Sequence, residues 1–144
     1  MLLKLRRGPR WKATLPDFAG ALAWSPDSRQ IAAATLAGPV IVFDGERGDE
    51  LARHRGHEQG ALAVAWSPDG ARLASGGQDG RIEVHERGGA SRSLDGGGSW
   101  VEHLAWSAGG ECLASAAGRV LRVWTPGGAL ASEVTGYEST ITSL

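Results

Sequence analysis

Residues 61–70 read Ala-Leu-Ala-Val-Ala-Trp-Ser-Pro-Asp-Gly, with Gly56-His57 just before them and Leu73-Ala74-Ser75-Gly76-Gly77-Gln78-Asp79-Gly80 just after. The core of this stretch returns twice. Ala23-Trp24-Ser25-Pro26-Asp27-Ser28 lies 42 residues upstream, and Ala105-Trp106-Ser107-Ala108-Gly109-Gly110 lies 40 downstream. Self-similarity at about 40 residues marks a repeat architecture.

Within each repeat, large apolar residues take one parity (Leu22, Trp24; Leu62, Val64, Trp66; Leu104, Trp106) and alanines the other. Period two means strand. Alanine on the second face, in place of a polar residue, means that this face is covered too, so the sheets stack. Ser-Pro-Asp-Gly then supplies a turn. Proline sets φ at its second position, Asp suits the third, and Gly takes the position least accessible to other residues. The third copy, Ser107-Ala108-Gly109-Gly110, lacks Pro and Asp and is expected to be looser.

Second strands follow at Gln30-Ile31-Ala32-Ala33, Arg72-Leu73-Ala74-Ser75 and Cys112-Leu113-Ala114-Ser115. Third strands are Val40-Ile41-Val42-Phe43, Ile82-Glu83-Val84-His85 and Leu121-Arg122-Val123-Trp124. More polar fourth strands are Leu51–His54, Ser91–Leu94 and Ala129–Val134, as suits a sheet edge. No helical period appears. Four strands per repeat, with one large-residue face and one small-residue face, is the layout of a β-propeller blade, so the expected class is all-β.

The 144 residues suffice for one domain with a core, and a net charge of −1 gives no global field for nucleic acid or membrane. A single cysteine, Cys112, excludes a disulfide framework and a zinc set, and is expected to be a buried, inert thiol. No run is apolar enough for a signal peptide or a membrane span, so a cytoplasmic protein of a reducing compartment is expected. Arginine outnumbers lysine 13 to 2, which hints at a GC-rich bacterial coding sequence. Residues 1–12 carry Lys4, Arg6, Arg7, Arg10 and Lys12 without an acid. They read either as a charged lead-in that keeps an edge soluble or as a basic arm for nucleic acid; the first is favoured, because no basic surface repeats. Trp11-Lys12-Ala13-Thr14-Leu15 reads as a short strand.

Over residues 56–86 the chain resembles one unit of the WD-repeat β-propeller family, carried by Gly56-His57, Trp66-Ser67-Pro68-Asp69-Gly70, Leu73–Gly77 and Asp79–Glu86. The resemblance extends over about residues 14–137 as three repeats. It implies that a His, a Ser, an Asp and a Trp form a hydrogen-bonded set in each blade. Carried over, His57, Ser75 and Asp79 match in the second repeat, with His85 where Trp is usual. Ser115 and Trp124 match in the third, where Gly97 replaces the His. In the first, Ala33 and Ala37 stand at the Ser and Asp positions. The implied division is a basic lead-in with its short strand over 1–13, blades over 14–56, 57–96 and 97–137, and the start of a fourth blade over 138–144. Gly136-Tyr137-Glu138 matches Gly56-His57-Glu58, so Leu144 would correspond to Val64 in a first strand. Three blades do not close a ring, so the sequence reads as part of a longer propeller, or as one whose copies associate to complete it.

His57, Ser75 and Asp79 are also the residue types of a hydrolytic triad, but a nucleophilic serine must be exposed beside an oxyanion hole, and here the set reads as a structural clasp. His54 and His57 lack a third metal ligand, and the glycine-rich stretches precede no helix. No catalytic residue, metal or cofactor is expected. Binding remains: a rigid rim of loops carrying Phe18, Glu58, Gln59, Gln78, Trp100, Glu102, Tyr137 and Glu138, suited to another protein or to the remainder of its own chain. Phe18 and Trp100 each stand six residues before their repeat's Trp, on its parity, which would instead bury them as strand starts.

Overall fold

In a computed structural model, which describes residues 9–144, the chain forms twelve strands and, among the described residues, no helix. None therefore is long and apolar enough to cross a membrane. The strands are β1 (Ala19–Trp24), β2 (Gln30–Thr35), β3 (Val40–Asp44), β4 (Glu50–His54), β5 (Ala61–Trp66), β6 (Arg72–Gly77), β7 (Arg81–Glu86), β8 (Ser91–Asp95), β9 (Val101–Trp106), β10 (Leu113–Ala117), β11 (Val120–Trp124) and β12 (Leu130–Val134). They make three four-stranded antiparallel sheets in simple sequence order, β1–β4, β5–β8 and β9–β12. This is the all-β blade arrangement read from the repeats, three blades that do not close a ring.

Each Ser-containing turn is held alike. Backbone N–H groups of Ser28, Gly70 and Gly110 donate to the carbonyls of Ser25, Ser67 and Ser107 at 2.9, 2.8 and 2.9 Å. In the first two turns the serine hydroxyl also donates to the Asp two residues on (2.6 Å in Ser25–Asp27, 2.5 Å in Ser67–Asp69). The third turn keeps the same backbone bond but has no Ser–Asp bond; its hydroxyl meets Glu111 Oε2 at 3.3 Å instead. The last turn position is left-handed in all three, at Ser28, Gly70 and Gly110.

The sheets stack face to face. Ala32, Ala34, Val40 and Val42 of the first sheet pack under Ala61, Val64, Trp66 and Leu73 of the second. Ala74, Ile82, Val84 and Leu94 of the second pack under Val101, Leu104, Trp106, Leu113 and Trp124 of the third. The small face of one blade thus receives the large face of the next. At both junctions a tryptophan indole crosses over: Trp66 Nε1 donates to the Ala23 carbonyl (3.2 Å) and Trp106 Nε1 to the Ala65 carbonyl (3.1 Å). The Arg72 guanidinium lies 4.5 Å over the Trp106 ring and donates to the Gly110 carbonyl.

Several expectations are corrected. Residues 11–15 form no strand, because no neighbouring strand offers them a ladder. Instead Trp11 stacks on Phe43, with centroids 6.4 Å apart, and donates its indole N–H to the Gly45 carbonyl. Lys4, Arg6 and Arg7 lie outside the described residues; Arg10 and Lys12 are exposed. Residues 138–144 form no strand. There the backbone N–H of Ile141 meets the Gly118 carbonyl, the place that His57 takes over Gly38, so the register runs four residues later than the Tyr137 match implied. Cys112 precedes β10 and is half-buried, not enclosed.

Candidate functional site: a loop rim and the clasp beneath it

The connections between sheets and the β2–β3, β6–β7 and β10–β11 hairpins share one edge of the stack. Backbone bonds lace them together: Leu36 N–H to the Phe18 carbonyl, His57 to Gly38, Gln78 to Gly60 and Gly96 to Gly80, all 2.8–3.0 Å. Loops tied in this way hold a fixed surface.

Under the second sheet's part of this rim, the structure brings His57, Ser75 and Asp79 together. His57 Nδ1 lies 2.9 Å from Asp79 Oδ1, and Nε2 lies 3.0 Å from Ser75 Oγ. A carboxylate only accepts, so Nδ1 donates to Asp79 and Nε2 accepts the Ser75 hydroxyl proton. Asp79 also accepts from the backbone N–H groups of Arg81 and Glu58. One carboxylate thus ties the incoming loop to the hairpin. The imidazole lies against Gly77, where a Cβ would run into the ring. This order of groups matches a hydrolase triad, yet Ser75 is 0% exposed, so no substrate carbonyl reaches its oxygen.

The third sheet solves the same problem differently. Trp124 Nε1 donates to Ser115 Oγ at 2.9 Å, with both residues buried. Gly97 leaves room for the Arg122 guanidinium, which donates to the Gly96 carbonyl and pairs with Glu133 at 2.7 Å. By its backbone bond to Gly80, Gly96 rather than Gly97 takes the place that His57 has over Gly38, one residue earlier than the repeat match implied. Arg122 was not singled out from the sequence, where the signal was a run of glycines in place of the His. In the first sheet Thr35 Oγ1 closes the hairpin onto the Pro39 carbonyl.

Of the candidate partner residues, Phe18 is 79% and Trp100 54% exposed. They stand on the rim as candidates there; parity alone would have put them on the buried face, and a one-residue bulge in each first strand explains why it does not. The β1 register slips between Ala19 and Ala21, and β9 passes over Glu102 between Val101 and His103. Each slip turns the preceding residue to the other side. Glu58, Gln59, Glu102, Tyr137 and Glu138 are exposed, while Gln78 is half-buried. Among the described residues no three metal-ligating side chains come together. His54 is drawn away from His57 into a stack with His85.

The family model described as "WD domain, G-beta repeat" matches residues 48–86 and 88–125, over half of the chain. The chain belongs to the WD40-repeat family. No curated protein sequence matches it. Among solved structures, the WD40 chain resembles "Structure of U3-55K" (TM-score 0.85, 23% identity, 91% of this chain and 43% of that one). It also resembles "Crystal structure of RRP9 WD40 repeats" (0.85, 24%, 91% and 42%) and "Crystal Structure of Mitotic Checkpoint Complex" (0.79, 23%, 87% and 41%). At these identities the likeness is one of fold. This WD40 chain spans less than half the length of each.

Proposed function

We propose that this WD40 chain is a non-catalytic protein-interaction scaffold whose working surface is the loop rim, on blades that divide at 14–56, 57–96 and 97–137. The observation that carries the reading is the exposure of Phe18 and Trp100 on loops that backbone bonds hold in place. Large aromatic side chains on a rigid frame lose little entropy on binding and make effective anchors. The exposed carboxylates of Glu58, Glu102 and Glu138 favour a partner with cationic side chains around an apolar patch. A single free cysteine supports a reducing compartment such as the bacterial cytoplasm. The test is affinity capture with the wild-type chain and the Phe18→Ala/Trp100→Ala variant, followed by mass spectrometry. Proteins held by the first and lost by the second, at equal thermal stability, support the reading; the same proteins on both would sink it.

A further inference from the structure

The two junctions between sheets share one plan, and the first of them lacks two arms that the second has. At the second junction, two arginines of the second sheet reach across to the third. Arg72 of β6 lays its guanidinium over the Trp106 ring and donates to the Gly110 carbonyl at 3.0 Å. Arg92 of β8 donates to the Pro126 carbonyl at 3.2 Å and pairs with Glu86. The register gives their counterparts in the first sheet. Gln30 stands opposite Asp44 as Arg72 stands opposite Glu86, and Ala52 stands opposite Val42 as Arg92 stands opposite Val84. Both counterparts are short and uncharged. Among the described residues no cation lies over the Trp66 ring. The carbonyls of Gly70 and Arg87, which answer to those of Gly110 and Pro126, accept no hydrogen bond there.

The space those arms would fill is open. A cavity of about 300 Å³ lies between the first and second sheets, beside the β5–β6 and β7–β8 turns, at the ends of the strands away from the rim. Gln30, Trp66 and Gly70 line it, with Val42, Leu51 and Leu73 as an apolar flank. A Cβ on Gly110 would meet the Arg72 guanidinium, whereas one on Gly70 would meet only Pro26 within 4 Å. His54 and His85 are also in the wall, and burial keeps both imidazoles uncharged at neutral pH. Glu86 in the wall is engaged by Arg92, and Arg87 at the mouth acts on the Asp27 carboxylate nearby.

We propose that this cavity takes an arginine side chain of a partner peptide, its guanidinium over the Trp66 ring and donating to the Gly70 carbonyl, as Arg72 does over Trp106. Its aliphatic stem lies along Leu51 and Leu73. Arginine fits better than lysine, because a planar guanidinium stacks on an indole while its N–H groups donate in the plane, and an ammonium presents only a point charge. The chain itself shows which ligand the frame accepts: with the same tryptophan and the same glycine turn, the second junction holds an arginine. This site is separate from the rim and does not rest on it.

Titration of the isotope-labelled full chain with acetyl-Gly-Arg-Gly-amide, read at the indole N–H resonances, tests it. The Trp66 signal should move, while that of Trp106, whose ring already carries Arg72, should stay in place. The citrulline peptide, which keeps the shape and removes the charge, should bind about tenfold more weakly. Gln30→Arg and Gln30→Arg/Ala52→Arg copy Arg72 and Arg92, so the chain then fills its own cavity. Both variants should lose the Trp66 response and melt at a higher temperature than wild type. A Trp66 signal that no arginine peptide moves overturns the proposal. So does equal binding of the citrulline peptide, which would make the cavity a merely apolar groove, or undiminished binding to both folded variants. Shifts centred on Glu58 and Trp100 instead would assign the peptide to the rim, and that too overturns it while leaving the rim reading in place.

Discussion

His85 stacks its imidazole on that of His54 across the junction of the first and second sheets, with ring centroids 3.9 Å apart and planes inclined by 15°. At the next junction the same two positions hold Trp124 and Leu94, both buried. His85 Nε2 is buried and, among the described residues, has no hydrogen-bond partner. The charged side chains around the pair are Arg53, Arg55, Glu83, Glu86 and Arg87, of which Arg53 is engaged by Glu50 and Glu86 by Arg92.

Burial, then the neighbouring His54 and His57, pushes the His85 pKa down to about 4 from an ordinary 6.5. Burial also lowers that of His54. Between pH 6.5 and 4 the unfolded chain binds the proton that the folded chain refuses. The part of the stability set by His85 is therefore full above pH 6.5, falls as the pH drops towards 4, and levels off below. Allowing for the ring's remaining contact with solvent, the loss is about 2 kcal/mol. Urea midpoints across this range should show it, and His54→Leu/His85→Trp, which copies the Leu94–Trp124 pair, should flatten it. An equally steep acid limb in the double variant would refute the assignment.

Removing His57 strands the Ser75 hydroxyl and takes the donor from Asp79. His57→Ala should cost about 3 kcal/mol, and Ser75→Ala about 1–2 kcal/mol. Thermal unfolding measures both. If the set were catalytic instead, Ser75→Ala would leave stability intact.

Gly77 is required by contact, because its Cα carries the His57 ring and its strand is paired on both sides. Gly77→Ala should cost about 2 kcal/mol and raise amide exchange at His57, whose N–H bonds to Gly38. Gly88→Ala, where a Cβ meets nothing within 4 Å, should stay within about 0.5 kcal/mol of wild type.

Ser28 has φ of 58°, in the turn position that Gly70 and Gly110 occupy with φ of 68° and 76°. Ser28→Gly relieves the left-handed strain, offset in part by the freedom glycine gains in the unfolded chain. A net gain of about 0.5 kcal/mol in the urea midpoint is expected. The reciprocal Gly70→Ser should lose stability, because its turn is of the same form.

The strands were legible because large and small side chains alternate strictly from Leu62 to Trp66 and recur around Trp24 and Trp106. The polar set was legible where all its residue types were present, at His57, Ser75 and Asp79. Whether Phe18 and Trp100 stand on the rim or start buried strands stayed open, because a bulge breaks the period of two without leaving a residue type to flag it. Residues 11–15 look like a strand by composition, but strand formation needs a neighbour, which local sequence does not reveal. The His54–His85 stack depends on two residues 31 apart meeting across a junction, and neither marks the other.

The matched repeats 48–86 and 88–125 each begin with one sheet's last strand and continue through the first three of the next. Each seam between repeats therefore runs through the middle of a sheet, as the halves of a lap joint overlap rather than abut. A cut at a repeat boundary would leave a sheet short of its outer strand instead of detaching a blade cleanly. Duplicating one repeat, by contrast, adds a strand to the old sheet and three to the new, with every backbone edge supplied by chain already in register.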